Sequence, residues 1–203
     1  MLLRSLVVAA LLTIASVLPA SAAPIFFHAT LTGSQEVPPN ATTAFGTADF
    51  VLNDAQTELA FTATIFGIDV TGTQSPETTL DNLVAAHIHA PAPPGVNAGV
   101  RWGFFGAPDN DINPKQLVLT PFATGLGGTF SSIWDLTEGN GTTLTAQLPA
   151  ILAGLSYINF HTSRFPGGEI RGQIQLVPEP TSLLLLGSGA ALLAARMRRR
   201  KKL

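Results

Sequence analysis

Phe45-Gly46-Thr47-Ala48-Asp49-Phe50-Val51-Leu52 is followed by Asn53-Asp54-Ala55-Gln56-Thr57 and then by Glu58-Leu59-Ala60-Phe61-Thr62-Ala63-Thr64-Ile65-Phe66. On an extended chain, successive side chains point to opposite faces. Gly46, Ala48, Phe50 and Leu52 therefore share one face, and Leu59, Phe61, Ala63 and Ile65 share one on the next segment. Polar residues between two such runs read as a hairpin loop, so residues 45–66 predict two antiparallel strands, each with one face in a core.

The same period of two recurs between Gly, Pro, Asn and Asp punctuation over residues 24–177, and long helical periodicity is nearly absent. The predicted strands are Ile25–Leu31, Phe45–Leu52, Glu58–Phe66, Leu83–Ala90, Val100–Phe105, Gln116–Leu119, Thr129–Asp135, Ser156–Thr162 and Glu169–Val177. One short helix is expected over Thr143–Leu152, with Gly154 placed to end it, and the polar, Thr-rich stretch 67–82 reads as a long surface loop. A parallel sheet would need crossover helices, for which there is no sequence. The expectation is an all-β domain, an antiparallel β-sandwich or Greek-key barrel with one short helix.

The two ends read as addresses. Arg4, the apolar run Leu6–Leu18 and the small triplet Ala20-Ser21-Ala22 have the three parts of a signal peptide, residues 1–22, and Pro19 closes an apolar stretch too short to span a membrane. After Val177 come Pro178-Glu179-Pro180, an apolar segment over 181–195, and the basic cluster Arg196, Arg198, Arg199, Arg200, Lys201 and Lys202. Spanning a bilayer takes about 20 apolar residues, so the segment is short for a hydrophobic helix, although basic side chains can snorkel to the headgroups. The basic cluster favours the cytoplasmic side, which places the body outside.

Pro178, Glu179 and Pro180 with the apolar segment and basic tail resemble a PEP-CTERM sorting signal over residues 178–203. The resemblance implies a bacterial protein anchored transiently in the inner membrane through residues 181–195, cut by a sorting protease, and sent to the periplasm, the outer surface or the extracellular matrix. The partners it implies are the membrane, that protease, and exopolysaccharide or another surface protein.

With the ends set aside, residues 23–177 hold four basic side chains (Arg101, Lys115, Arg164 and Arg171) against twelve acidic ones, a formal charge of −8. An acidic domain with no basic patch excludes nucleic acid as a partner, because phosphate neutralisation dominates such binding. The chain has no cysteine, which rules out disulfides, thiol nucleophiles and cysteine metal ligands.

Ala85-Ala86-His87-Ile88-His89-Ala90-Pro91 carries the clearest chemistry. If Ile88 is buried, His87 and His89 emerge side by side on the other face, a geometry able to hold a metal ion. In Tyr157-Ile158-Asn159-Phe160-His161 the same logic puts His161 beside Tyr157 and Asn159, opposite Ile158 and Phe160. In the closing strand Ile170, Ile174 and Leu176 form the apolar side, and Glu169, Arg171, Gln173 and Gln175 the polar one. His87, His89 and His161 are therefore the candidate ligands of a copper or zinc ion. The competing reading is that these imidazoles merely bond loop carbonyls and nearby carboxylates.

The body resembles the CHRD domain over residues 26–176, on Leu31-Thr32-Gly33-Ser34-Gln35-Glu36-Val37-Pro38-Pro39, on Ala86-His87-Ile88-His89, and on Tyr157-Ile158-Asn159-Phe160-His161-Thr162 with Pro166-Gly167-Gly168-Glu169-Ile170-Arg171-Gly172-Gln173. The resemblance implies an extracellular module over residues 23–177. A weaker likeness is to copper/zinc superoxide dismutases, whose β-barrel also carries a His-x-His pair. The chain departs from them in having only His28 as a further histidine and no disulfide.

Asp109-Asn110-Asp111-Ile112-Asn113 sets oxygen ligands at alternate positions, but Pro114 and Thr120 stand where an EF-hand needs glycine and glutamate, which favours an acidic turn. Glu169 and Arg171 share a strand face, where cross-strand pairing is the simpler expectation. No Gly-x-Ser-x-Gly, phosphate loop or His-Glu-x-x-His occurs. Phe26, Phe45, Phe104, Phe105, Phe122 and Trp134 could form a sugar platform, though core burial is the simpler assignment for most. The sequence thus favours a non-catalytic, exported binding or structural module over an enzyme. The alternatives are a three-histidine copper or zinc protein and a calcium-stabilised matrix protein.

Overall fold

The computed structural model describes residues 23–178 and 188–189. Its strands are β1 (Ile25–Thr32), β2 (Phe45–Leu52), β3 (Glu58–Phe66), β4 (Leu83–His89), β5 (Val100–Phe105), β6 (Val118–Pro121), β7 (Gly127–Asp135), β8 (Tyr157–Thr162), β9 (Ile170–Gln173) and β10 (Gln175–Leu176), with one helix, α1 (Leu144–Leu152), between β7 and β8. The signal peptide and nearly all of the expected C-terminal helix lie outside the described residues. Among the described residues no helix is long and apolar enough to cross a membrane.

All ladders between the named strands are antiparallel, and they join into one sheet in the order β5-β4-β8-β9-β1-β2-β3-β7-β6, with β10 added on β1. The all-β expectation holds. The predicted hairpin of residues 45–66 forms, with Phe50 opposite Phe61 and Leu52 opposite Leu59. The sheet curls until its halves face each other: Phe61 of β3 meets Phe104 of β5 at 4.7 Å, and Trp102 of β5 stacks on Trp134 of β7 at 5.6 Å and 4°. The ladder runs from β5 to β6 without joining them, so the sheet folds over like a sandwich and does not close into a barrel. Both tryptophans and Phe27, Phe50, Phe104, Phe130 and Phe160 are fully buried between the halves. Each contributes about 1.5–3 kcal/mol, which takes the place of the missing disulfides.

Local signals place α1 well. The Thr143 hydroxyl accepts from the Ala146 amide, Leu144, Leu148 and Ile151 recur on the buried side, and Gly154 at φ +68° lets Gly154 and Leu155 donate back to Ile151 and Ala150.

Four details differ from the sequence reading. The strand expected at Gln116–Leu119 forms two residues later. The closing strand breaks at Ile174, whose amide donates to the Ser156 carbonyl. Leu176, expected on the apolar side, is 51% exposed because β10 pairs with β1 alone. The segment 67–82 is more than a surface loop: Ile68 and Val70 enter the core, and the buried Asp69 carboxylate accepts from the amides of Thr71, Gly72 and Ser75.

β4, β8 and β9 are covered on both faces. Ile88, Ile158, Phe160 and Ile170 fill the core, while His87, His89, Tyr157, Asn159, His161, Arg171 and Gln173 are buried on the other side. Alternation assigned the faces correctly, but the polar face is not open to water. The segments between β4 and β5, between β5 and β6, and between β8 and β9 lie over it, and their carbonyls bond the polar side chains.

Candidate metal centre

His87 and His89 lie on β4, and His161 lies on β8, with Asn159 directly opposite His87 and Tyr157 opposite His89 in the ladder. The three rings are 5–7% exposed, and one nitrogen from each lies within 4.8 Å of the other two. Among the described residues this is the one such grouping of potential ligands. The sequence brought forward the same three residues; the ladder register brings them together across 74 positions.

Each ring is held by a carbonyl from the cover. His87 Nε2 meets Ala107 O at 3.0 Å, His89 Nδ1 meets Ala98 O at 2.9 Å, and His161 Nδ1 meets Pro166 O at 3.1 Å. A carbonyl only accepts, so each of these nitrogens carries the hydrogen. The other nitrogen of each neutral ring is then a bare lone pair: His87 Nδ1, His89 Nε2 and His161 Nε2. His87 Nδ1 and His161 Nε2 are 3.3 Å apart, and His89 Nε2 is buried without a partner. Burial, with the neighbouring His161 imidazole, pushes His87 down to about 4. Burial also pushes His89 down to about 4 and lowers His161. The neutral forms therefore prevail at neutral pH.

Two further features orient the cluster. The His89 ring stacks on the Tyr157 ring at 4.7 Å and 3°, and the Arg171 guanidinium lies over the Tyr157 ring, 3.4 Å from its centre. The Tyr157 hydroxyl donates to Ala98 O, the carbonyl that also holds His89. On β5, Gly103 lies opposite His87, and a Cβ there would stand 1.7 Å from Pro108 O, so the cover that carries Ala107 can close only over glycine.

The other candidates resolve differently. His28 sits on the outer face against Asp49 at 2.7 Å, away from the cluster. Asp111 is fully buried and accepts from Ser132 Oγ and the Gln116 amide, and Asp109 pairs with Lys115. Glu169 accepts from the Thr42 and Thr162 hydroxyls, the latter across the β8 boundary, and does not pair with Arg171. Phe104 and Trp134 belong to the core, as expected. Phe45 and Phe66, both exposed, lie ring against ring at 4.9 Å and 14°, a cross-strand stack.

Glu36 was not singled out by the sequence, although it lies in the Leu31–Pro39 stretch. It ends the 3-10 turn Gly33–Gln35 and is 5% exposed, with Asn159 Nδ2 at 3.5 Å from Oε2. Burial raises its carboxyl to about 7 despite the pull of Arg171. Nothing in local spacing marks it, because its surroundings come from β8, β9 and Gly168.

Residues 176–200 match the PEP-CTERM protein-sorting motif, which supports an exported, surface-sorted bacterial protein recognised by a sorting system at the membrane. No curated protein and no solved structure matches the chain. Residues 27–174 match the CHRD domain, and on that match, which takes in most of its length, the chain belongs to the CHRD domain family.

Proposed function

We propose that this protein is a surface-delivered metal-binding module in which His87, His89 and His161 hold a copper or zinc ion. One observation carries the reading: three imidazole lone pairs converge in a buried space, and every ring N–H is already spent on a carbonyl. A water molecule offers two hydrogens to these three acceptors. A protonated ring would put a cation where burial disfavours one. A transition-metal ion takes all three lone pairs, and imidazole suits both copper and zinc. The 3.3 Å between His87 Nδ1 and His161 Nε2 also fits, since two nitrogens about 2.0–2.1 Å from one tetrahedral ion stand about 3.4 Å apart.

In this reading the ion sits in a mature domain of residues 23–177, between a leader removed after residue 22 and a sorting segment of residues 178–203. The domain acts by binding or as structure, at the cell surface or in the exopolysaccharide to which the sorting motif directs it. A calcium-stabilised role draws less support, because Asp109 and Asp111 are engaged by protein donors.

Elemental analysis of the purified protein after dialysis with copper or zinc tests this. One ion per chain is expected, with a raised melting temperature, and His87→Ala, His89→Ala and His161→Ala should each lose most of the affinity. Absence of stoichiometric metal, together with an unmoved melting temperature for both ions, removes the proposal.

A further inference from the structure

We propose that the metal centre keeps one exchangeable coordination position, on the side of Asn159, where the ion takes a water molecule or a small anion from solution. This rests on the three-histidine reading and concerns what the ion holds besides the protein.

Three protein ligands leave a metal of this kind one short of four, the arrangement of open rather than sealed sites. The surrounding side chains show where the fourth position lies. His89, His87 and His161 stand in three alternate rows of the β4–β8 ladder, on one face, and the middle of these rows pairs His87 with Asn159. Asn159 is therefore the polar side chain on β8 between His161 and the ring pair of Tyr157 and His89.

Asn159 is 3% exposed, and its Oδ1 has no partner. The Nδ2 group faces Glu36, and because the amide is planar this turns Oδ1 away from the carboxyl. Glu36 Oε1, also buried, has no partner either. Among the described residues six buried side-chain polar atoms are unpaired, and three of them, His89 Nε2, Asn159 Oδ1 and Glu36 Oε1, lie on this one face. A buried carbonyl oxygen left without a donor is unfavourable, because folding has stripped it of water. A water on the ion supplies the missing donor to Asn159 Oδ1.

Open clefts reach Glu36, the neighbour of Asn159. Glu36 lines two clefts of about 350 and 340 Å³, one bounded by Pro94, Gly95, Arg171 and Gln173, the other by Arg164, Pro166 and Gly168. Gly168 at φ +133° is needed there, since a Cβ would stand 2.6 Å from both Glu36 oxygens and 2.7 Å from Asn159 Nδ2.

Cobalt(II) bound in place of the native ion gives a visible spectrum that reports its ligands, and azide is the probe anion. With one cobalt per chain, azide should perturb the spectrum saturably. Asn159→Ala should keep its cobalt and bind azide about fivefold more tightly, because water loses its acceptor and azide, which cannot donate to Oδ1, loses nothing. A cobalt protein whose spectrum ignores azide has a closed site, and the proposal falls while the metal reading stands; this titration needs no variant. Unchanged azide affinity in Asn159→Ala overturns it as well. If no cobalt binds, the three-histidine reading itself fails and takes this inference with it.

Discussion

His87 Nδ1 lies 3.3 Å from His161 Nε2, yet neither ring has a hydrogen free to place between them. Ala107 O and Pro166 O hold the opposite nitrogens, so the tautomers are set by the backbone cover instead of by the facing ring.

Tautomers are directly observable. In metal-free protein above pH 7, nitrogen–proton NMR correlations should show His87 protonated at Nε2, and His89 and His161 protonated at Nδ1. A spectrum with His87 protonated at Nδ1 would supply the missing hydrogen and undo the argument for a metal ion.

Acid should destabilise the metal-free protein. His87 and His89 fall from an ordinary value near 6.5 to about 4, so between those values the unfolded chain binds more protons at both. Their contribution is present above about 6.5 and is lost as the pH falls toward 4, on the order of a few kcal/mol. Glu36 runs the other way: raised from 4.5 to about 7, it favours the fold below 4.5, and that contribution is lost as the pH rises to 7. Two imidazoles outweigh one carboxyl. Melting temperature should therefore drop from pH 7 to pH 4, and Glu36→Gln should make the drop steeper. A melting temperature that climbs on acidification would contradict the lowered histidines.

Gly103→Ala should loosen the cover. Its Cβ would meet Pro108 O at 1.7 Å and His87 Cδ2 at 3.0 Å, so the segment carrying Ala107 must move. A loss of about 1–3 kcal/mol in urea unfolding is expected. Metal affinity should fall about 10–100-fold, because His87 loses the carbonyl that orients it. Unchanged affinity would show that Ala107 O does not matter to the site.

Glu138→Ala should cost stability without touching the histidines. Its carboxylate accepts from the amides of Ile112 and Asn113 and from Trp102 Nε1, and Trp102 is fully buried. Removing it leaves the buried Trp102 N–H unpaired, at a cost of about 1–3 kcal/mol. Denaturant titration of this variant beside Glu138→Gln, which keeps an acceptor oxygen, should show the glutamine protein as the more stable.

Much of this architecture could be read residue by residue. Period-two alternation assigned Phe50, Phe61, Ile88 and Phe160 to the core, and it put His87, His89 and His161 on the opposite faces, because the extended backbone dictates that alternation whatever surrounds it. Thr143 and Gly154 marked the ends of α1, since helix termini are satisfied by neighbouring residues. The break at Ile174 and the buried Asp69 escaped the pattern, because each depends on a partner elsewhere in the chain or on a local carboxylate cage.

By itself the sequence determined most of the strand faces, the hairpin, the C-terminal sorting motif and the three candidate imidazoles, because these follow from local residue patterns. Only the tertiary structure decided that the polar face of β4 and β8 is roofed by carbonyls, that each imidazole spends its hydrogen there, and that Glu36 comes to rest beside Asn159. The physical reason is that a hydrogen-bond count closes only when partners distant in the chain share one buried space, and no spacing along the sequence carries that information.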